Sequence, residues 1–212
     1  MNGLSGWRTF LLRRVRRGVA VGVSMLLLAC SPAQLPPLSQ DAVVLAFGDS
    51  LTAGVGATPG GDYPNQLAEL TGLSVVNAGL SGELAVQGKA RLPGLLAQVQ
   101  PDLVLLMSGG NDFLRDRPRA QVRADLAEMI EQAQASGALV VLIGVTEKRL
   151  LLRTSAIYHE LAQAYPLVLA EDQLTQLLKR ARYRSDPIHL NDDGYRQLAL
   201  SLVQLLEQQG AL

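Results

Sequence analysis

This chain of 212 residues has one cysteine, two histidines and no acidic residue in its first 40 positions. No aspartate or glutamate precedes Asp41. The single cysteine, Cys30, excludes a disulfide within the chain. The two histidines, His159 and His189, are the only candidates for an imidazole base. The chain also has no internal repeat and no low-complexity tract, which excludes a repeat architecture.

The acid-free N-terminal segment has the composition of a secretory leader. Five arginines lie between Arg8 and Arg17, and an apolar stretch over residues 19–29 follows them. This stretch is too short for a transmembrane helix and fits the hydrophobic region of a signal peptide. It ends in Leu27-Leu28-Ala29-Cys30, which resembles the lipobox of bacterial lipoproteins. In such proteins the cysteine is acylated and the peptide is cut before it.

We therefore predict a lipoprotein signal peptide over residues 1–29, a lipidated Cys30 with a tether to residue 40, and a domain over residues 41–212. The alternative is an ordinary cleaved signal with an accidental cysteine. Two or three acyl chains would anchor the protein stably in a membrane. Ser31 occupies the position where retained inner-membrane lipoproteins carry aspartate. The resemblance therefore implies a bacterial cell envelope, with the chain on the outer membrane facing the periplasm.

The charge balance changes once the leader is removed. The whole chain has 19 basic and 19 acidic residues, and residues 1–29 contain five arginines and no acid. The remainder has 14 basic against 19 acidic residues, a net charge of −5. This charge argues against nucleic acid as a partner. The roughly 170 residues that follow the tether suffice for one domain with its own core, which we expect to be a monomer.

Apolar runs and helical patterns alternate along the predicted domain. The runs predict strands at 42–46, 73–77, 103–107, 138–143 and 167–169. The patterns predict helices at 63–70, 83–99 with an interruption near Pro93, 119–136, 154–164, 173–180 and 192–208. Uninterrupted apolar strands indicate a parallel sheet covered on both faces. The predicted fold class is therefore α/β, a three-layer α/β/α domain.

A candidate nucleophile follows the first predicted strand, in the tight turn Phe47-Gly48-Asp49-Ser50-Leu51. Loops after parallel strands lie at one edge of the sheet, where ligands bind. The same edge should receive Gly79 and Gly82 after the second strand and Gly109-Gly110-Asn111 after the third. A serine in such a turn can be a helix N-cap, a phosphate contact or a nucleophile. The local sequence does not decide among these roles.

A base and an acid for Ser50 occur together in Asp186-Pro187-Ile188-His189. A serine nucleophile needs a base within hydrogen-bond reach and a third group that fixes the tautomer of the base. The other histidine, His159, has neighbours that indicate a helix surface. The oxyanion needs preorganised donors. The candidates are the backbone N–H groups of Ser50 and Gly82 and the side-chain amide of Asn111.

Four blocks of the chain resemble those of the GDSL, or SGNH, hydrolase family. They are Gly48-Asp49-Ser50-Leu51, Asn77-Ala78-Gly79-Leu80-Ser81-Gly82, Gly109-Gly110-Asn111-Asp112 and Asp186-Pro187-Ile188-His189. Within the family, the chain most resembles the bacterial periplasmic thioesterase I, lysophospholipase L1 and arylesterase group. The resemblance implies a flavodoxin-like, five-stranded parallel sheet of order 2-1-3-4-5, without a metal or an organic cofactor. It also implies Ser50 as nucleophile, His189 as base, Asp186 as its partner, and Gly82 and Asn111 in the oxyanion hole.

One position departs from the family pattern. A threonine commonly follows the second block as Gly-x-Thr, whereas this chain has Gly82-Glu83-Leu84. We expect the change to alter the hydrogen bonding of the loop and to leave the donor glycine in place. Asp49 and Asp112, in the first and third blocks, are interpreted as acceptors that stabilise their loops.

The predicted reaction is hydrolysis of a small-molecule ester, thioester or lysophospholipid through an acyl-enzyme. Leu150, Leu151 and Leu152 follow the fourth strand. They either line a groove for an acyl chain or form the first buried turn of the next helix. One alternative function is removal of O-acetyl groups from a carbohydrate or cell-wall polymer. A second is a non-catalytic surface lipoprotein that binds a lipid or a glycan.

Overall fold

The computed structural model describes residues 35–147 and 152–212 of the chain. The predictions for residues 1–29 and Cys30, and those for Leu150 and Leu151, lie outside the described residues. Within these two ranges, no helix has the length and apolar character needed to cross a membrane.

Five short strands form one parallel sheet at the centre of the fold. The strands are β1 (Val43–Gly48), β2 (Ser74–Gly79), β3 (Leu103–Met107), β4 (Leu139–Ile143) and β5 (Val168–Ala170). Their order across the sheet is β2-β1-β3-β4-β5, which confirms the predicted order. Phe47 of β1 pairs in register with Ala78 on one side and Leu106 on the other.

Helices connect the strands and cover the sheet. They are α1 (Ser50–Ala53), α2 (Tyr63–Thr71), α3 (Ala85–Val99), α4 (Gly110–Leu114), α5 (Arg119–Ala135), α6 (Ala156–Ala164), α7 (Gln173–Leu178) and α8 (Asp192–Gln208), with a 3-10 turn at Ala181–Tyr183. One group packs α8 against α2 and α7, and another packs α5 against α3 and α6. Helices on both sides of a parallel sheet are the arrangement predicted for a three-layer domain.

Burial of the strands follows from their apolar runs. Every residue of β3 is buried, and so are the last five residues of β1. Edge strand β2 is less covered, because it has only one neighbour. Strands buried on both faces place the core on each side of the sheet, and the α/β prediction is confirmed.

Helix α3 corrects one prediction. The sequence predicts an interruption near Pro93, whereas the helix continues without a break from Ala85 to Val99. Proline in a helix interior lacks a donor and crowds the preceding turn, which disfavours the helix locally. Here the apolar face of α3 is buried on both sides of the proline, with Leu92 before it and Leu96 after it in the core. Tertiary packing therefore outweighs the local cost of the proline.

The predicted tether makes contact with the domain where it becomes described. The backbone N–H of Leu35 donates to the carbonyl oxygen of Gln209 at 3.1 Å, and that of Leu38 donates to Ala211 at 2.9 Å. Leu35 is also buried in the core cluster. The chain from residue 35 onward is thus fixed to the segment that follows α8.

Candidate active site

The turn after β1 presents Ser50 beside a cavity at the carboxyl edge of the sheet. Gly48 ends β1 against β3, and a Cβ atom there would lie 2.2 Å from the carbonyl oxygen of Met107. Asp49 caps α1, since its Oδ1 accepts the backbone N–H of Leu51 at 3.1 Å. Ser50 is therefore the first residue of α1, at the point where the chain turns from strand to helix.

A chain of hydrogen bonds joins Ser50 to the loop before α8. Its Oγ atom lies 3.0 Å from Nε2 of His189. On the other side of the ring, Nδ1 lies 2.7 Å from Oδ2 of Asp186. The remaining carboxylate oxygen, Oδ1, accepts the backbone N–H groups of Ile188 and His189, each at 2.8 Å. The three side chains predicted as a triad thus lie together in the order serine, imidazole, carboxylate.

Hydrogen bonding keeps the carboxyl group of Asp186 ionised. Burial alone would raise its pKa, but the bonds from the His189 ring and from the backbone of Ile188 and His189 outweigh this effect. The pKa of Asp186 therefore lies below its ordinary value. An ionised carboxylate only accepts, which assigns the proton of a neutral imidazole to Nδ1. Nε2 is then left to accept from the hydroxyl of Ser50.

The loops after β2 and β3 supply the candidate oxyanion donors. Nδ2 of Asn111 donates to the backbone carbonyl oxygen of Glu83 at 3.1 Å and lies 3.4 Å from Oδ2 of Asp49. Gly82 precedes Glu83 and has a φ of 79°, in the left-handed region that favours glycine. A Cβ atom at Gly82 would meet no atom of the described residues within 4 Å. Gly82 is half-buried, and it is not among the residues that line the cavity beside Ser50.

Asp49 is a buried acid directly beside Ser50. Burial raises its pKa to about 6; the charges of Asp112 and Glu83 add to the rise, while Leu51 and His189 oppose it. Its role as acceptor for the backbone of Leu51 agrees with the prediction that it stabilises its loop.

Asp112 has a comparable role at the start of α4. It is fully buried, and its Oδ2 accepts the backbone N–H of Ala85, the first residue of α3, at 2.9 Å. Its Oδ1 pairs with the guanidinium group of Arg117. Asp112 therefore ties the third block to the helix that follows the second block, as an acceptor and not as a group of the cavity wall.

The cavity beside Ser50 has a volume of about 230 Å³ and a largely apolar wall. Apolar side chains from four segments contribute to it: Leu114, Val145, Leu152, Leu178 and Ile188. Leu114 and Ile188 are exposed, so they form part of the rim. Among the three leucines predicted to contact substrate, Leu152 is thus a lining residue, and the other two lie outside the described residues.

Comparison with known proteins decides the family of this chain. Residues 46–197 match the GDSL-like Lipase/Acylhydrolase family. The chain belongs to this family. The family predicted from the sequence is thus confirmed. The chain is accordingly a serine ester hydrolase.

Bacterial esterases are among the relatives of this GDSL-family chain. It is 35% identical over 159 residues to the thioesterase 1/protease 1/lysophospholipase L1 of Escherichia coli, covering 71% of this chain and 76% of that protein. It is 39% identical over 107 residues to esterase TesA of Pseudomonas aeruginosa, covering 48% of this chain and 53% of that esterase. A crystal structure of TesA superimposes with a TM-score of 0.71 at 29% identity, covering 79% of this chain and 99% of that one.

An ion pair that the sequence analysis did not single out supports the second block. Glu83 is buried, and its two carboxylate oxygens accept Nε and Nη2 of Arg91 at 2.6 and 2.8 Å. The sequence shows only that a glutamate and an arginine lie eight residues apart. That they face each other depends on how the loop folds back on α3, which spacing alone does not predict.

The second histidine, His159, does not line the cavity beside Ser50. His159 is exposed on α6, as predicted, with its Nδ1 4.0 Å from a carboxylate oxygen of Glu171. Residues 35–147 and 152–212 contain no cluster of three or more histidine, cysteine, aspartate or glutamate side chains arranged to hold a metal ion.

Proposed function

We propose that this GDSL-family enzyme hydrolyses carboxylic esters or thioesters, with Ser50 as nucleophile, His189 as base and Asp186 as its partner. The observation that carries the proposal is the continuous hydrogen-bond chain of 3.0 and 2.7 Å from Ser50 Oγ to Asp186 Oδ2. A nucleophile, a base and an orienting carboxylate in this order are what acyl transfer to serine requires.

The reaction proceeds by two acyl transfers. His189 takes the hydroxyl proton through Nε2 as Ser50 Oγ attacks the substrate carbonyl, and the imidazolium is stabilised by Asp186. The imidazolium then gives this proton to the departing alcohol or thiol, and an acyl-serine remains. Water attacks the acyl-serine with His189 as base again, and the carboxylic acid leaves as Ser50 recovers its proton.

The oxyanion of each tetrahedral intermediate is bound by the backbone N–H groups of Ser50 and Gly82 and by Nδ2 of Asn111. Two N–H bonds project from Nδ2 of Asn111. One N–H donates to the carbonyl oxygen of Glu83 at 3.1 Å. The 3.4 Å separation between Nδ2 and Oδ2 of Asp49 is long for a hydrogen bond. The second N–H is therefore available to an oxyanion without breaking a strong bond.

The cavity supports a substrate with an acyl chain. Its apolar wall of Leu114, Val145, Leu152, Leu178 and Ile188 would shield methylene groups from water. The relatives named thioesterase, lysophospholipase and arylesterase support the same substrate classes for this chain. The apolar wall favours these substrate classes over O-acetyl esters, because an acetyl group has no chain to bury.

We further propose that the enzyme is attached to a bacterial membrane through acyl groups on Cys30, facing the periplasm from the outer membrane, and acts as a monomer. The basic and apolar leader ending in Cys30 supports secretion and lipidation. The relatives are bacterial, which is consistent with a bacterial cell envelope.

Hydrolysis of p-nitrophenyl acetate, butyrate and palmitate by the chain from Ser31 onward tests the proposed function. Activity should increase beyond acetate and disappear in Ser50→Ala. Activity confined to acetate would favour the O-acetyl esterase. Equal activity in the folded Ser50→Ala variant would refute Ser50 as the nucleophile, and a folded but inactive wild type would favour the non-catalytic lipoprotein.

A further inference from the structure

Glu83 contacts both parts of the proposed oxyanion hole that lie outside α1. It follows Gly82 directly, and its backbone carbonyl oxygen accepts Nδ2 of Asn111 at 3.1 Å. A shift of Glu83 by a fraction of an ångström would therefore move the peptide that carries Gly82 and the amide of Asn111 together. Catalytic groups must be held within about 0.5 Å of their productive positions.

The side chain of Glu83 is fixed by Arg91 on α3. Nε and Nη2 of Arg91 donate to its two carboxylate oxygens, at 2.6 and 2.8 Å. A bidentate pair of this kind fixes orientation as well as distance. The side chain of Glu83 is 2% exposed and that of Arg91 is 28% exposed, so the pair is shielded from water on the side of the loop.

Arg91 is itself held by the neighbouring strands β1 and β2. Its Nη2 also donates to the carbonyl oxygen of Ala78 in β2 at 2.9 Å. Its guanidinium carbon lies 4.3 Å from the ring centre of Phe47, three residues before Ser50 in β1. One side chain thus connects the ends of β1 and β2 to the loop between Gly82 and α3.

The helix leaves space for this arrangement at Gly88. A Cβ atom at Gly88 would lie 3.2 Å from Oε2 of Glu83 and 3.2 Å from Cε1 of Phe47. These separations are tighter than ordinary contacts. Without a side chain at Gly88, the carboxylate and the ring can both pack directly against α3.

We propose that Glu83 and Arg91 are positioning residues for the oxyanion hole, and that their ion pair sets the placement of Gly82 and Asn111 relative to Ser50. The inference rests on the proposed function, because it assigns the pair a role in the oxyanion hole of that reaction. Glu83 is the middle residue of Gly82-Glu83-Leu84, the segment in which this chain has leucine where threonine is common in the family.

A double-mutant cycle on kcat tests the proposal. Variants Arg91→Leu, Asn111→Ala and their combination are compared with wild type on p-nitrophenyl butyrate, per active site titrated with a phosphonate. Arg91→Leu alone should lower kcat by roughly tenfold to a hundredfold with KM nearly unchanged, less than the loss of a donor itself. In the Asn111→Ala background the same substitution should lower kcat by only a few fold, because its main target is already absent.

Matched variants separate positioning from general stability. Lys89→Met removes two neighbouring ion pairs of α3, with Asp125 and Glu128 on α5, and should leave kcat within about twofold. Arg91→Lys and Glu83→Gln keep part of the hydrogen bonding and should lose less kcat than Arg91→Leu. If Arg91→Leu does not fold, Arg91→Lys and Glu83→Gln take its place in the double-mutant cycle.

Several results would overturn the positioning role. They are full additivity with Asn111→Ala, an unchanged kcat in the folded Arg91 and Glu83 variants, or the same loss of kcat in Lys89→Met. Activity that persists in Ser50→Ala would instead refute the proposed function, so the two failures are distinguishable.

Discussion

Nδ2 of Asn111 lies 3.1 Å from the backbone carbonyl oxygen of Glu83, although 28 residues separate them in the chain. This bond joins the loop after β2 to the start of α4, so the two blocks that follow different strands form one unit. Nδ2 also lies 3.4 Å from Oδ2 of Asp49, and both Asn111 and Asp49 line the cavity beside Ser50.

Asn111→Ala should remove an oxyanion donor together with the hydrogen bond to the carbonyl oxygen of Glu83. We expect kcat to fall by about a hundredfold to a thousandfold, which corresponds to about 2.7–4 kcal/mol of transition-state stabilisation. The measurement is steady-state hydrolysis of p-nitrophenyl butyrate with thermal unfolding of the same samples. Gln66→Ala removes an exposed amide that binds Arg196 and serves as the control. A decrease below tenfold would exclude Asn111 from the oxyanion hole.

Cys30→Ala should release the protein from the membrane. A lipidated cysteine carries two or three acyl chains, which anchor a protein stably, whereas the variant retains no site for them. The full chain expressed in a bacterial host should be recovered in the membrane fraction, and Cys30→Ala in the soluble fraction or as the uncleaved precursor. Ser31→Ala controls for a change beside the cleavage site. Membrane recovery and proteolytic processing of Cys30→Ala identical to those of wild type would contradict lipidation at Cys30.

The sheet, and the proximity of Ser50, His189 and Asp186, could be predicted because each depends on short segments. The apolar run before Gly48 specifies a strand buried on both faces, and Ser50 directly follows it. Asp186 and His189 lie in one tight loop, in which the carboxylate also accepts the backbone of His189. Only the approach of this loop to Ser50 needs the tertiary fold, and the parallel topology already directs both segments to one edge.

The features that the sequence did not predict depend on packing between distant segments. The continuity of α3 through Pro93 is decided by the apolar face that it buries, which a local rule for proline does not include. The pairing of Glu83 with Arg91 requires the loop to fold back onto α3. Asp112 accepts from Ala85 only because β2 and β3 flank the same strand, β1.

Ile188→Ser should reduce the preference for long acyl chains. Ile188 is 42% exposed at the cavity rim, and replacing it removes apolar surface that a chain would cover. We expect the ratio of kcat/KM for p-nitrophenyl palmitate to that for the acetate to fall by about threefold to tenfold. Leu200→Ser, at 38% exposure on α8, is the matched control. An unchanged ratio in Ile188→Ser would mean that the chain binds elsewhere.

Asp49→Asn should change how stability depends on pH. The pKa of Asp49 is about 6 in the folded protein, above its value of about 3.9 in an unfolded chain. Between these values the folded state binds more protons, so the stability due to this group falls as pH rises from about 4 to 6. The amide carries no charge to bury and can still accept the N–H of Leu51.

The free energy of unfolding of Asp49→Asn, relative to wild type, should therefore increase by up to about 3 kcal/mol between pH 4 and pH 7. Urea unfolding across this range measures the difference. Asp116→Asn, which neutralises an exposed carboxyl group in the same part of the fold, controls for the loss of one negative charge. Parallel pH profiles for wild type and Asp49→Asn would mean that the Asp49 carboxyl is solvated as it is in the unfolded chain. If the profiles of wild type and Asp49→Asn instead converge only at low pH, the fold retains a buried acid beside Ser50 at a cost in stability.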